Sequence, residues 1–198
     1  MLCPSTTPKA GLAGYDPATI HAMSDKDSLQ GEWEEKQEGR ILIAGLGNLL
    51  LQDDGIGVHA VKELQKEGTG LGGALAVEVG VAVLGALHLF ERADKILAID
   101  AMQAGGRPGT VYSFRVSDVE EQDCRASLHE LSLLAALRFL PQSVNPEIVI
   151  LGMEPGTIDY GLELSPACQA GLPQLVQAAR EIVTAWREKT RCLNHARQ

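Results

Sequence analysis

The stretch ILIAGLGNLLLQDDGIGVHAVKEL, residues 41–64, is the part of the chain that decides the predicted fold. Its first four residues are apolar and are followed by glycine, a pattern typical of a strand buried on both faces of a parallel sheet. From Ile56 onward the apolar residues recur at a spacing that favours an amphipathic helix. The stretch therefore predicts a strand, a turn and a helix, which is the first unit of an α/β sheet.

The turn between this strand and this helix carries two adjacent carboxylates, Asp53 and Asp54. In an open α/β sheet such a turn lies at the carboxyl end of a strand, where ligands bind, so both residues are site candidates. One of them can instead cap the following helix, which leaves the other available for chemistry. A dinucleotide site is disfavoured, because Leu50 occupies the third glycine position of G-x-G-x-x-G and the carboxylates would repel a pyrophosphate.

Composition narrows the class of protein. The chain has 198 residues, of which 45% are hydrophobic and 22% charged, as expected for one globular domain. The net charge of -9 argues against a nucleic-acid partner and against an anionic membrane surface, because both require clustered Lys and Arg. No apolar run approaches the roughly 20 residues that span a bilayer, and no signal sequence is recognisable.

The four cysteines are scattered along the chain and form no C-x-x-C pair. This spacing predicts neither a zinc knuckle nor a disulfide scaffold. Reduced thiols and a cytoplasmic location are the expectation. No Ser-His-Asp or Cys-His grouping stands out, so we do not expect a covalent acyl-enzyme.

The order of the predicted elements indicates the architecture. Further strands are expected at residues 74–79, 95–100, 110–116 and 147–152, and further helices at residues 83–93, from Ser127 and from Ser165-Pro166. This alternation predicts an α/β fold, a three-layer αβα sandwich with about five strands in a mostly parallel, mixed sheet. Residues 1–39 are expected to be a flexible N-terminal extension, residues 40–190 the domain and residues 191–198 a C-terminal tail.

Three residues at the ends of predicted elements form a candidate metal site. Asp54 follows the first strand, Asp100 ends the third, and His129 lies in the first turn of the helix that begins at Ser127. Two carboxylates and an imidazole are a reasonable shell for a divalent metal with an open position. Each residue also has a purely structural alternative. Asp54 can cap a helix, Asp100 can stabilise the turn at the end of its strand, and His129 can be an ordinary surface histidine.

Four ordered motifs resemble a known family. GLGNLLLQDDGIGV, ILAIDA with GGRPGTVYSF, LHELSLLAAL and LGMEPGTIDYGLELSP are similar to the successive motifs of the maturation endopeptidases of nickel-iron hydrogenases. The resemblance spans most of residues 40–183. Four motifs in order are far more specific than any one of them.

The resemblance implies a function for the candidate site. By motif match Asp54, Asp100 and His129 are the metal ligands and catalytic residues, and Asp53 is an alternative to Asp54. The implied reaction removes a C-terminal extension from the precursor of a nickel-iron hydrogenase large subunit. The implied metal is nickel supplied by that precursor, or another divalent ion, which would polarise the scissile carbonyl and lower the pKa of a bound water.

Two other functions are open at this stage. Peptidyl-tRNA hydrolases also begin with a strand running into G-L-G-N, but they would be expected to have a basic face for tRNA. A non-catalytic module that senses metal in the hydrogenase precursor would use the same ligands without hydrolysis. Three neighbouring features have open roles as well: Asn48 orients a ligand or stabilises the turn, Gln103 is a weaker candidate, and residues 49–51 face a peptide groove or pack in the core.

Overall fold

The computed structural model describes residues 39–66, 71–118, 133, 137–141 and 143–195. The predicted extension up to residue 38, the helix start at Ser127 and the candidate ligand His129 lie outside the described residues.

The described strands form one five-stranded mixed sheet. They are β1 (Ile41–Leu46), β2 (Leu75–Gly80), β3 (Lys95–Ala101), β4 (Val111–Arg115) and β5 (Glu147–Met153), in the order β2-β1-β3-β5-β4. β1 pairs in parallel with β2 and β3, and β3 pairs in parallel with β5. β4 is antiparallel to β5, which confirms the mixed sheet.

In the described part of the chain, three α-helices accompany the sheet: α1 (Ile56–Lys66), α2 (Leu87–Arg92) and α3 (Pro166–His195). The helix expected over residues 83–93 is divided into a 3-10 turn, Val83–Ala86, and α2. Gly85 lies at this division, where it donates a short-range hydrogen bond to the Ala82 carbonyl, and glycine lowers helix propensity. Pro166 opens α3, as the Ser-Pro pair predicted.

The closing helix is longer than the sequence indicated. α3 continues to His195, beyond the boundary expected at residue 190. Before this last turn, Arg187 Nη1 donates to the distant Gly39 carbonyl oxygen at 2.9 Å. Within the helix, Thr190 Oγ1 donates to the Trp186 carbonyl oxygen at 2.9 Å.

Helices cover both faces of the sheet. Alternate residues of each strand point to opposite faces, so Ile43 and Leu97 join a buried cluster with α1 and α3, whereas Leu42 and Ile96 join a second cluster with α2. Leu133 is fully buried in the second cluster. The arrangement confirms the three-layer αβα sandwich, and the loops after β1, β2, β3 and β5 meet at the carboxyl edge of the sheet.

The described helices and cysteines can be compared with the expectation of a cytoplasmic protein with reduced thiols. Within the described residues, every helix is too short or too polar to cross a membrane. The two described cysteines, Cys168 and Cys192, carry free thiols. The cytoplasmic location stays a prediction.

Candidate functional site

The turn after β1 holds Asp54 in place. Gly47 has φ +105°, and a side chain there would collide with the carbonyl oxygen of Asp54, so only glycine fits. The Asn48 N–H donates to Asp54 Oδ2 at 2.8 Å, and Asn48 Oδ1 accepts the Leu50 N–H at 3.0 Å. Asn48 therefore stabilises the turn with its side chain and orients the Asp54 carboxylate with its backbone.

The start of α1 packs directly on the ends of two strands. A methyl group on Gly57 would collide with the carbonyl oxygen of Ile99 in β3 and would lie 2.6 Å from that of Leu46 in β1. A methyl group on Gly45 of the G-x-G pattern would lie 2.5 Å from the Gly57 carbonyl oxygen, so the close packing of helix and strand accounts for this glycine without a nucleotide. It also places the turn that carries Asp54 beside the end of β3, where Asp100 lies.

Asp54 and Asp100 are both buried at this carboxyl edge, with 8% and 0% of their surface exposed. Asp100 Oδ1 accepts the Ala101 N–H at 2.9 Å. Because side chains alternate along a strand, Asp100 lies on the same face of the sheet as Ile96. Leu133 is buried on that face, and it follows His129 by four residues in the sequence. The structure therefore brings two of the three candidate ligands to one edge.

His129 lies outside the described residues, so its place relative to the two carboxylates stays a prediction. Within the described ranges, no group of three His, Cys, Asp or Glu side chains is arranged to hold a metal ion.

Asp53 has a structural role that the sequence did not reveal. Its Oδ1 accepts the Ser165 N–H at 2.7 Å, and its Oδ2 accepts the N–H groups of Gly156 and Thr157 at 2.8 and 2.9 Å. Burial alone would raise the pKa of Asp53, but the hydrogen bonds from Ser165, Thr157 and Gly156 hold it below its ordinary value.

The expected capping of α1 is therefore wrong for Asp53. Its carboxylate binds the backbone just before α3, where Ser165 Oγ accepts the Cys168 N–H at 3.4 Å as the helix cap. Both oxygens of Asp53 are engaged by backbone donors, so its carboxylate joins the turn after β1 to the segment before α3.

Glu154 is a further buried acid that sequence reasoning passed over. It follows β5, is 7% exposed, and accepts hydrogen bonds from the N–H groups of Ala104 and Gly105 at 2.8 and 3.2 Å and from the Tyr112 hydroxyl at 3.1 Å. Burial opposes its ionisation, yet these donors hold the pKa of Glu154 below its ordinary value. It fastens the loop that follows Asp100. An acidic residue directly after a buried strand was the available signal.

A groove of about 280 Å³ adjoins Asp54. One wall is formed by residues 47–49 and the other by residues 78–82. Leu49 lines the groove and Leu50 is 61% exposed, so the core-packing interpretation is wrong for Leu50. Leu49 fits the groove interpretation of this segment, and the role of the groove as a peptide site stays a prediction.

Two further histidines lie on helices, and the weaker candidate Gln103 lies in a loop. His59 lies on α1, where burial and the nearby Lys62 charge lower its pKa. His88 lies exposed on α2, with Nδ1 3.1 Å from the Gly85 carbonyl oxygen. Gln103 is exposed in the loop after β3.

Comparison with known proteins identifies relatives of the chain. Hydrogenase expression/formation protein HupD of Bradyrhizobium diazoefficiens is 26% identical over 156 residues, which cover 76% of this chain and 81% of the relative. Hydrogenase expression/formation protein HoxM of Azotobacter vinelandii is 28% identical over 148 residues, which cover 72% of each.

Solved structures with the same fold include two hydrogenase maturation proteases. The [NiFe] hydrogenase maturation protease HybD from Thermococcus kodakarensis has 28% identity and a TM-score of 0.63, over 73% of this chain and 99% of that one. The hydrogenase maturating endopeptidase HybD from Escherichia coli has 24% identity and a TM-score of 0.62, over 76% and 93%, and it supports the fold alone. The family model described as hydrogenase maturation protease (HycI) matches residues 58–182, more than half of the chain. The chain belongs to the hydrogenase maturation protease family.

Proposed function

We propose that this peptidase removes the C-terminal extension of a nickel-iron hydrogenase large-subunit precursor after nickel has been inserted, and that Asp54, Asp100 and His129 form the reactive site. The observation that carries the proposal is the burial of Asp54 and Asp100 at the carboxyl edge of two adjacent parallel strands. A groove of about 280 Å³ lies near them, lined in part by Asn48, whose N–H binds the Asp54 carboxylate. Family membership also disfavours the peptidyl-tRNA hydrolase alternative.

The donor chemistry fits a divalent cation. Two carboxylates bring negative charge into a site with little solvent, and an imidazole adds a nitrogen ligand that suits nickel. We infer that this nickel arrives as part of the precursor, so the metal belongs to the substrate. When bound, a divalent cation supplies Lewis acidity toward the scissile carbonyl and toward a water molecule.

The residues of the chain prepare this chemistry by orienting the carboxylates. The Asn48 N–H fixes one oxygen of Asp54, and the Ala101 N–H fixes one oxygen of Asp100. Such hydrogen bonds restrict a ligand to one orientation before the metal arrives. The adjoining groove then holds the extended substrate next to the two acids.

The described cysteines support direct attack by water over a covalent acyl-enzyme. Cys168 is fully buried and its thiol donates to the Glu154 carbonyl oxygen at 3.5 Å. Burial raises the pKa of the Cys168 thiol, which disfavours the thiolate needed for nucleophilic attack. Cys192 is exposed near the end of α3, away from the carboxyl edge of the sheet.

The test is cleavage of large-subunit precursors, with and without nickel, followed by intact mass. We expect nickel-dependent loss of a C-terminal peptide, and a decrease in rate of about 100-fold or more for Asp54→Asn, Asp100→Asn and His129→Ala. Asp94→Asn is the matched control, because Asp94 lies in an exposed ion pair with Arg40 at the opposite edge of the sheet.

Two results would contradict the proposal. Cleavage of nickel-free precursor in the presence of a chelator would show that the reaction needs neither nickel from the substrate nor a metal bound by the protein itself. A parent protein that binds the precursor and leaves it whole would favour the metal-sensing module.

A further inference from the structure

The exposed apolar side chains of the molecule are concentrated around the candidate site. Across the described part of the chain, seven large apolar residues are exposed, and six of them lie in the loops after β1, β2 and β5: Leu50, Val81, Leu84, Ile158, Tyr160 and Leu162. The seventh is Phe139. Exposed apolar residues scattered singly need no explanation, but a contiguous group marks an interaction surface.

The loops that carry these residues are joined by backbone hydrogen bonds. The Gly161 N–H donates to the Leu50 carbonyl oxygen at 3.0 Å, and the Gln52 N–H donates to the Gly161 carbonyl oxygen at 3.0 Å. Residues 156–165, here called the rim loop, therefore lie directly against the turn that carries Asp54.

Asp53 fastens both ends of the rim loop. Its carboxylate accepts the N–H groups of Gly156 and Thr157 at one end and that of Ser165 at the other. Between these points the loop presents Ile158, Tyr160 and Leu162, which are 43%, 87% and 66% exposed. A loop with fixed ends and an apolar tip offers a pre-organised surface, which lowers the entropy lost on binding.

Charge around the rim loop favours a partner that brings a cation to the site. Asp159 and Glu163 lie exposed in the loop, whereas Glu78, which lines the groove on the other side of the Asp54 turn, is paired with Lys62 at 3.6 Å. The apolar tip and the acidic edge together match a protein surface with exposed apolar side chains next to a bound metal ion.

We propose that the rim loop, with Leu50, docks an apolar surface of the hydrogenase large-subunit precursor next to its C-terminal extension. This inference rests on the proposed function for the identity of the partner. Docking through the rim loop sets the affinity for the precursor, whereas Asp54 and Asp100 act on the bond that is cleaved.

The test compares Tyr160→Ser/Leu162→Ser with the parent protein. With nickel-loaded precursor we expect KM to rise about 10-fold with kcat unchanged, because the loss falls on binding. With nickel-free precursor, used as a probe that is not cleaved under the proposed function, we expect Kd to rise by the same factor. Phe139→Ser removes an equally exposed apolar side chain elsewhere and should change neither constant.

The outcomes separate this inference from the proposed function. Parent-like KM and Kd in the double variant would overturn the docking role even if nickel-dependent cleavage is observed. If the parent protein binds the precursor without cleaving it, and the double variant binds more weakly, the docking role is supported and the protease proposal is overturned. A parent that binds no precursor would overturn the docking role. An unchanged melting temperature in both variants checks that neither substitution disturbs the fold.

Discussion

The two edges of the sheet stabilise acidic side chains in different ways. At the carboxyl edge, Asp53 and Glu154 are buried and accept hydrogen bonds from backbone N–H groups and a hydroxyl. At the amino edge, Glu147 pairs with Lys95 at 3.4 Å and accepts the Trp186 indole N–H at 3.0 Å. One edge uses the dipoles of the main chain, and the other uses charged and aromatic side chains.

This difference has a functional consequence. A cationic partner such as Lys95 neutralises an acid, whereas N–H dipoles stabilise a carboxylate and leave its net negative charge in place. The carboxyl edge therefore concentrates negative charge from Asp53 and Glu154 around the candidate ligands. A site with such uncompensated negative charge attracts a divalent cation, whereas the acid at the amino edge is already paired with a lysine.

The largest effect is expected where backbone packs on backbone. Gly57→Ala at the carboxyl edge should lower the free energy of unfolding by about 4 kcal/mol, because the added methyl collides with main-chain atoms of β3 that cannot move aside. Gly39→Ala at the amino edge should cost only about 1 kcal/mol, for its left-handed φ of +69°, since the nearest atom, in Thr190, is 3.4 Å away. Denaturant unfolding measures both. Equal losses would mean that the two edges are packed alike.

The second-largest loss of stability is expected for Asp53, the acid that fastens the rim loop. Asp53→Asn should lower the free energy of unfolding by about 3 kcal/mol, because three backbone N–H groups lose a charged acceptor. Asp94→Asn, which removes an exposed ion pair, should change it by less than about 0.5 kcal/mol. An Asp53→Asn protein as stable as the parent but unable to process precursor would show that Asp53 acts as a ligand.

Acid should weaken both kinds of stabilisation. The folded-state pKa values of Glu154 and Glu147 are both lowered, so each acid contributes stability above its unfolded pKa of about 4.3 that is lost as pH falls through its folded pKa. The destabilisation caused by Glu154→Gln or Glu147→Gln, measured in urea, should therefore shrink from pH 7 toward pH 3.

Salt should affect the two variants differently. Burial opposes the ionisation of Glu147, and the Trp186 hydrogen bond and the Lys95 charge offset it, so 1 M NaCl should weaken the contribution of Glu147. The contribution of Glu154 rests on uncharged N–H and O–H donors and should change little. The same salt response at both positions would remove the distinction between the edges.

A smaller effect is expected from the aromatic side chain of the amino edge. Trp186→Phe keeps a ring near Lys95 but loses the hydrogen bond to Glu147, and should cost about 1 kcal/mol. Precursor processing should be unchanged, because Trp186 lies at the edge opposite the candidate site. A fall in processing without further loss of stability would show that the amino edge takes part in function.

Local pattern was sufficient for most of the fold. The apolar runs of β1, β3 and β5 and the Ser-Pro start of α3 predicted the main elements within a few residues. The local pattern missed one division and one boundary of the helices, since a 3-10 turn precedes α2 and α3 continues past residue 190. The contact between Arg187 and Gly39 at the end of α3 joins residues 148 positions apart, which no local pattern contains.

The sequence by itself determined the α/β class, the family motifs and the placement of Asp54 and Asp100 at strand ends, because these follow from periodicity and from residues next to one another in the chain. Only the tertiary structure decided the roles of Asp53 and Glu154 and the exposure of the rim loop. The partners of Asp53 at Ser165 and of Glu154 at Ala104 lie 112 and 50 residues away. A carboxylate at the end of a strand has the same local sequence whether it binds a metal or a distant backbone, and only the folded chain brings the distant donors into reach.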